Sequence, residues 1–160
     1  MPKGNDKIIF TLNQILTMEL TGINQYLINR GRYVNWQLSA LVNYIDERIA
    51  DERRHYDMLL DRILYLQGVP VYGKLNPVNV GLAVPATFEA DSATETASIS
   101  AYNDGITKAV ELKDDGTRAL FESILKDEED HLNDLEARLG QIEMTGLQIF
   151  LGQAIKECNA

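Results

Sequence analysis

Apolar residues keep helical spacing along nearly the whole chain. Ile8, Leu12, Ile15, Ile23 and Tyr26 form one stripe, which predicts a helix from Asp6, as its N-cap, to about Trp36. A turn over Gln37–Ser39 follows, with Ser39 as the expected cap of a second helix over 40–67. That helix runs through Leu41, Ile45, Ile49, Leu59 and Ile63 until Gly68 and Pro70 stop it. A third helix is expected over 86–114, with Phe88, Ile99, Tyr102 and Ile106 on one face. Asp115-Gly116 reads as a turn and Thr117 as the cap of a fourth helix over 118–144. Gly146 then sets off a short amphipathic helix over 147–158.

Between the second and third helices, Gly68, Pro70, Gly73, Pro77, Gly81 and Pro85 mark an extended connection. Helices of this length span about 40–45 Å. A connection of roughly 18 residues reaches about 60 Å, so it can traverse the bundle and leave the second and third helices parallel. The two short connections make antiparallel hairpins. The expected fold is all-α: one domain over 1–160, a ferritin-like four-helix bundle with one long crossover plus a short C-terminal fifth helix.

Both histidines of the chain follow a glutamate by three residues, as Glu52-Arg53-Arg54-His55 and Glu128-Glu129-Asp130-His131. Three residues turn a helix by about 300°, so each Glu and His share a face one turn apart and can reach one interior metal ion. Such a pair arises by chance on solvated faces. Two pairs that use every histidine, both on inward stripes, outweigh that reading. Glu19 is the only acid between Lys7 and Ile45 and lies on the first stripe, and Glu95 lies on the face of Phe88 and Tyr102. A carboxylate among core residues is costly unless paired or bound to a cation. With no Lys or Arg expected on these stripes, a dinuclear metal site is favoured over an ion-pair network. Relative heights fit well for Glu19 against Glu52 and His55. They fit more loosely for Glu95 against Glu128 and His131, and would improve if the third helix ended early. Glu and His donors suit iron, manganese or zinc alike.

The 160 residues carry 15 Lys+Arg against 24 Asp+Glu, a formal charge of −9. Coating nucleic acid needs clustered cations, so that class is excluded, and attraction of cations is favoured. No apolar run approaches the ~18 residues of a membrane span. The segment MPKGNDKII lacks the apolar core of a secretory signal. A single cysteine, Cys158, allows neither an intrachain disulfide nor a CxxC site and reads as incidental. A cytoplasmic location is expected.

The stretches NDKIIFTLNQIL, MELTGINQY, YVNW, ILYLQGVP, LKDEEDHLNDLE and TGLQIFLGQ resemble the bacterioferritins over almost the whole chain. The resemblance implies a cage of twenty-four subunits that oxidises Fe(II) with O2 or peroxide and stores Fe(III) mineral. It implies two iron ions per subunit held by Glu19, Glu52, His55, Glu95, Glu128 and His131, with Glu52 and Glu128 bridging. It places the fifth helix at a symmetry axis, the other arrangement being a helix docked on its own subunit. Glu47 and Asp51 would face the cavity as an inner-surface iron site or stand as an ordinary solvated pair. Tyr26 would lie beside the metals or simply fill the core, and Trp36 reads as packing. One position departs from the family: Arg53 stands where a methionine usually ligates haem between subunits. Guanidinium is no ordinary iron ligand, while Met58 and Met18 point elsewhere, so homomeric assemblies are expected to lack haem. Arg53 would instead pair with Asp57. A mixed cage with a Met-bearing sister subunit and a ferredoxin-type reductant for iron release are further expectations. Other readings are a non-catalytic or haem-partner subunit and a di-metal oxidase or peroxide reductase without storage.

Overall fold

The computed structural model describes residues 3–156, so Cys158 lies outside the described residues. Five helices follow in order: α1 (Asp6–Asn35), α2 (Ser39–Tyr65), α3 (Val84–Glu111), α4 (Asp115–Thr145) and α5 (Leu147–Lys156). Helix extents follow the hydrophobic pattern, but the caps differ. Asn5, not Asp6, caps α1 by accepting the Lys7 N–H at 2.9 Å. Leu38 rather than Ser39 occupies the N-cap of α2. Asp114 caps α4 and accepts from both the N–H and the hydroxyl of Thr117, which sits inside the first turn.

Helices α1, α2 and α3 end alike, with a non-glycine residue in the left-handed region: Gln37, Gln67 and Lys113 at φ near 58°. In each, the next N–H reaches back to the carbonyl five residues earlier (Leu38 to Tyr33, Gly68 to Ile63, Asp114 to Ala109) at 2.9–3.0 Å. This paired closure satisfies terminal carbonyls, at the steric cost of a Cβ in the αL region. Lys113→Gly is therefore expected to raise stability by about 0.5–1 kcal/mol, read as a higher urea midpoint at unchanged slope.

The crossover runs beside α1 and is pinned to it in sequence order. Asn13 donates to the Val69 carbonyl and accepts from the Val71 N–H, Thr21 accepts from Asn76, Gln25 accepts from Asn79, and Arg32 donates to the Gly81 carbonyl. Gly81 admits no side chain, since a Cβ there would lie 2.1 Å from the Ala86 backbone. The chain thus enters α3 at the end where α2 began, and α2 and α3 run parallel.

Two apolar clusters fill the bundle. One joins Leu12, Leu16, Leu59, Ile63, Phe121 and Ile124, and the other joins Tyr33, Leu41, Ile45, Phe88 and Leu135. Each of α1–α4 passes through both, while α5 joins only the second, and the residues between the clusters are those the sequence singled out. On α3 the buried face carries small and polar residues, Thr87, Asp91, Ser98 and Gly105, with Phe88 and Tyr102. Ile99 and Ile106 are only half-buried at its edge, contrary to the periodicity reading. α5 docks on its own subunit through Phe150, edge-on to Phe88 at 5.9 Å, while Ile149 and Ile155 stay exposed.

Candidate metal centre

Glu19, Glu52, His55, Glu95, Glu128 and His131 meet in the layer between the two apolar clusters, each no more than 4% exposed. α3 ends at Glu111, three residues short of expectation, which brings Glu95 level with α4. The donors form two overlapping groups, Glu19–Glu52–His55–Glu128 and Glu52–Glu95–Glu128–His131, with the ligand atoms in each group within 4.8 Å of one another. Glu52 and Glu128 belong to both.

The buried atoms facing this layer fit a cation and little else. Glu52 Oε1, Glu128 Oε1, His55 Nδ1 and His131 Nδ1 are buried and make no hydrogen bond. His55 Nδ1 lies 2.9 Å from Glu128 Oε1, and His131 Nδ1 lies 3.3 Å from Glu52 Oε1. They are close but not aligned as donor and acceptor. Unsatisfied polar atoms at zero exposure are rare and destabilising unless something completes them. Four carboxylates match the charge of two divalent ions.

Without that charge the layer holds protons. Burial, then the neighbouring Glu19, pushes Glu52 well above the usual carboxylate range. Burial and the adjacent Glu128 do the same to Glu95, and burial lifts Glu128 to about 8. Arg48, one turn before Glu52, opposes this shift at Glu128, with its own Nε buried and unpartnered. That corrects the expectation of stripes free of cations. The residue snorkels along the stripe from the Tyr44 ring, 5.6 Å from its guanidinium.

Surrounding groups fix the donors crosswise. Tyr26 of α1 donates to Glu95 of α3, and Tyr102 of α3 donates to Glu19 of α1. His55 Nε2 lies 3.2 Å from Asp127 Oδ2 on α4, and His131 Nε2 lies 3.5 Å from Asp51 Oδ2 on α2. A carboxylate on Nε2 favours the proton there and leaves Nδ1 free to ligate. Beside them Asp91, one turn before Glu95, accepts from Gln25 at 2.7 Å and from Asn29 at 2.9 and 3.1 Å. Burial lifts Asp91 to about 7.

Sequence reasoning missed Tyr102, Asp127 and Asp91 as parts of the centre, and gave Asp51 a different role. Asp51 faces His131, while Glu47 is exposed and belongs to neither donor group. A signal was available. Glu19 and Glu95, Tyr26 and Tyr102, Asp51 and Asp127, Glu52 and Glu128, and His55 and His131 are all separated by one constant interval along the chain. The two hairpins therefore contribute equivalent half-sites. Arg53 is exposed and forms the expected pair with Asp57, at 3.0 and 3.1 Å.

Residues 9–145 match the ferritin-like domain family. A bacterioferritin of Streptomyces coelicolor is 38% identical over 156 residues, covering 97% of this chain and 93% of the relative. The chain belongs to the bacterioferritin family. A bacterioferritin of Mycolicibacterium paratuberculosis is 34% identical over 153 residues, 96% of each chain. A bacterial ferritin of Synechocystis is 35% identical over 150 residues, 93% of this chain and 96% of the relative. Membership accounts for the bundle with its short fifth helix. It also fits the buried Glu/His cluster to iron among the metals the donors allow. No helix among the described residues is long and apolar enough to cross a membrane.

Proposed function

We propose that this bacterioferritin stores iron by oxidising Fe(II) at the six-residue centre and depositing Fe(III) mineral inside a homo-oligomeric cage of twenty-four subunits. The observation that carries the reading is the sharing of Glu52 and Glu128 between two buried donor groups. Such sharing suits two adjacent ions rather than one. Bound there, two Fe(II) ions together supply the two electrons that reduce dioxygen to peroxide or peroxide to water. The residues' part is to hold and release. Glu19 and Glu95, each in one donor group, would each hold one ion, steadied by Tyr102 and Tyr26. Glu52 and Glu128, which belong to both donor groups, would be shared between the ions, and each histidine would present Nδ1. The buried carboxyls give up their protons as iron arrives, and the flanking apolar clusters keep bulk water out.

A cage is supported by apolar side chains that a lone subunit leaves exposed. They include Phe10, Leu27 and Val34 on α1, Leu64 and Tyr65 on α2, and Tyr72 and Leu82 in the crossover. Exposed Ile149 and Ile155 likewise suit α5 to a subunit junction. Arg53 offers no haem ligand, so homomeric cages lack bis-Met haem in this proposal, and haem would enter with a Met-bearing sister subunit. A cytoplasmic setting and a ferredoxin-type reductant for iron release complete it.

Anaerobic Fe(II) titration of the purified assembly is expected to saturate a first class of sites at about two ions per subunit. Oxygen should then give a rapid oxidation phase, followed by slow mineral growth in a particle near half a megadalton. A small particle that oxidises Fe(II) without accumulating mineral would favour a di-metal oxidase over a storage protein.

A further inference from the structure

Arg54 sits on the rim of the centre, half-exposed, and is not among the donors. Its Nη2 donates to Asp127 Oδ2 at 2.9 Å and lies 3.6 Å from Asp51 Oδ1. Those two aspartates are the ones that face His55 Nε2 and His131 Nε2. One guanidinium thus joins the outer partners of both histidines, which come from different helices. Its other polar contact is a long one, 3.8 Å from Nη1 to Met58 Sδ. The constant interval that relates the two hairpins fails at this position, because Asp130 stands where a second Arg54 would be. The centre has one such cation, shared by two half-sites.

We propose that Arg54 is a positioning residue of the metal centre, holding Asp127 and Asp51 so that both histidines keep Nδ1 turned to the ligand layer. The proposal rests on reading that layer as a dinuclear centre. An ordinary half-exposed ion pair contributes little to stability and would serve no further group. Here the acceptor oxygen of Asp127 is the same atom that receives His55 Nε2, so pinning it fixes the imidazole behind it. Arg54 is permanently protonated, so the clamp persists at any physiological pH. Both aspartates are met by the one nitrogen Nη2, so a lysine ammonium of shorter reach and different geometry can replace it only in part. The grip is closer on the Asp127 side, so His55 is held more firmly than His131.

The test uses the assembled protein and Co(II), whose visible absorption reports ligation without oxidation. Arg54→Ala is expected to weaken Co(II) binding by about 10-fold, the low end of the loss seen when a direct outer partner of a ligating histidine is removed, because it frees both such partners at once. Arg54→Lys should recover part of it. Arg53→Ala, which removes an equal charge next door but touches only Asp57, should bind as the unaltered protein does. In the metal-free protein, histidine side-chain ¹⁵N spectra should show the Nε2–H tautomer for His55, mixed with the other tautomer in Arg54→Ala. Unchanged Co(II) affinity in Arg54→Ala, or equal losses in Arg53→Ala, would overturn the proposal. If the unaltered protein fails to bind two Co(II) per subunit, the dinuclear reading itself fails. In that case the tautomer spectra still decide whether Arg54 orients His55.

Discussion

Glu128→Gln should abolish rapid Fe(II) oxidation and, in the metal-free protein near pH 8, raise stability. Both effects come from one carboxylate. Glu128 serves both donor groups, so its loss removes a donor from each ion at once. Loss of an outer partner alone costs 10–100-fold in affinity, so loss of a shared ligand should slow the rapid phase by at least about 100-fold. The stability gain follows from burial. Glu128 is lifted to about 8 in the folded chain, chiefly by desolvation. A raised carboxyl pKa means the folded state holds a proton that the unfolded state gives up, so stability falls as pH rises between the two values. Glutamine has no proton to lose. The variant and the unaltered protein should therefore match near pH 5 and diverge above it, by about 2 kcal/mol or more near pH 8. Stopped-flow oxidation and urea unfolding of metal-free protein measure the two effects. A variant that keeps the rapid phase would remove Glu128 from the centre.

That trade of stability for binding also explains which parts of the centre can be read from sequence. Glu19 is conspicuous because an isolated acid on an apolar stripe has no cheap structural explanation. Glu52–His55 and Glu128–His131 are conspicuous because three residues on a helix place two side chains on one face. Asp127 is hidden by the same geometry. It adjoins Glu128, and neighbouring helical positions do not face each other, so nothing local connects it to a histidine on α2. Tyr102 reads as core from its spacing, and its hydroxyl finds Glu19 only once α1 and α3 pack together. The helix ends failed for a different reason. Gln37, Gln67 and Lys113 adopt a backbone that sequence rules reserve for glycine, held there by the back-reaching hydrogen bonds that close α1, α2 and α3. On α3, Gly105 lets α1 and α4 approach, since a Cβ there would meet Ile15 and Phe121, so the buried face is set by fit and not by apolar size. Constellations held within one helix are legible, while those built across helices need the bundle.

Metal loading should change the pH dependence of the whole protein. In the metal-free state Glu52, Glu95 and Glu128 are all raised by burial among one another, and Asp91 beside them is lifted to about 7. Every shift has the same sign, so stability is greatest below the folded values and declines as pH climbs from about 5 to about 8. For a chain of this length, a loss of several kcal/mol lowers the melting temperature by about 10 °C or more. Zn(II), which does not oxidise, should reverse the trend. It binds the ionised carboxylates and displaces their protons, so its stabilisation grows with pH. Asp91 separates the two sources of the slope. It lies outside both donor groups and accepts from Gln25 and Asn29. Asp91→Asn should therefore flatten part of the metal-free pH profile while two Zn(II) still bind. Melting scans at a fixed rate and pH-stat titration with Zn(II) provide the measurements. A metal-free protein that grows more stable from pH 5 to 8 would contradict the burial argument. Zn(II) uptake without proton release would show that the carboxylates were already ionised, with some other cation or hydrogen bond offsetting their charge.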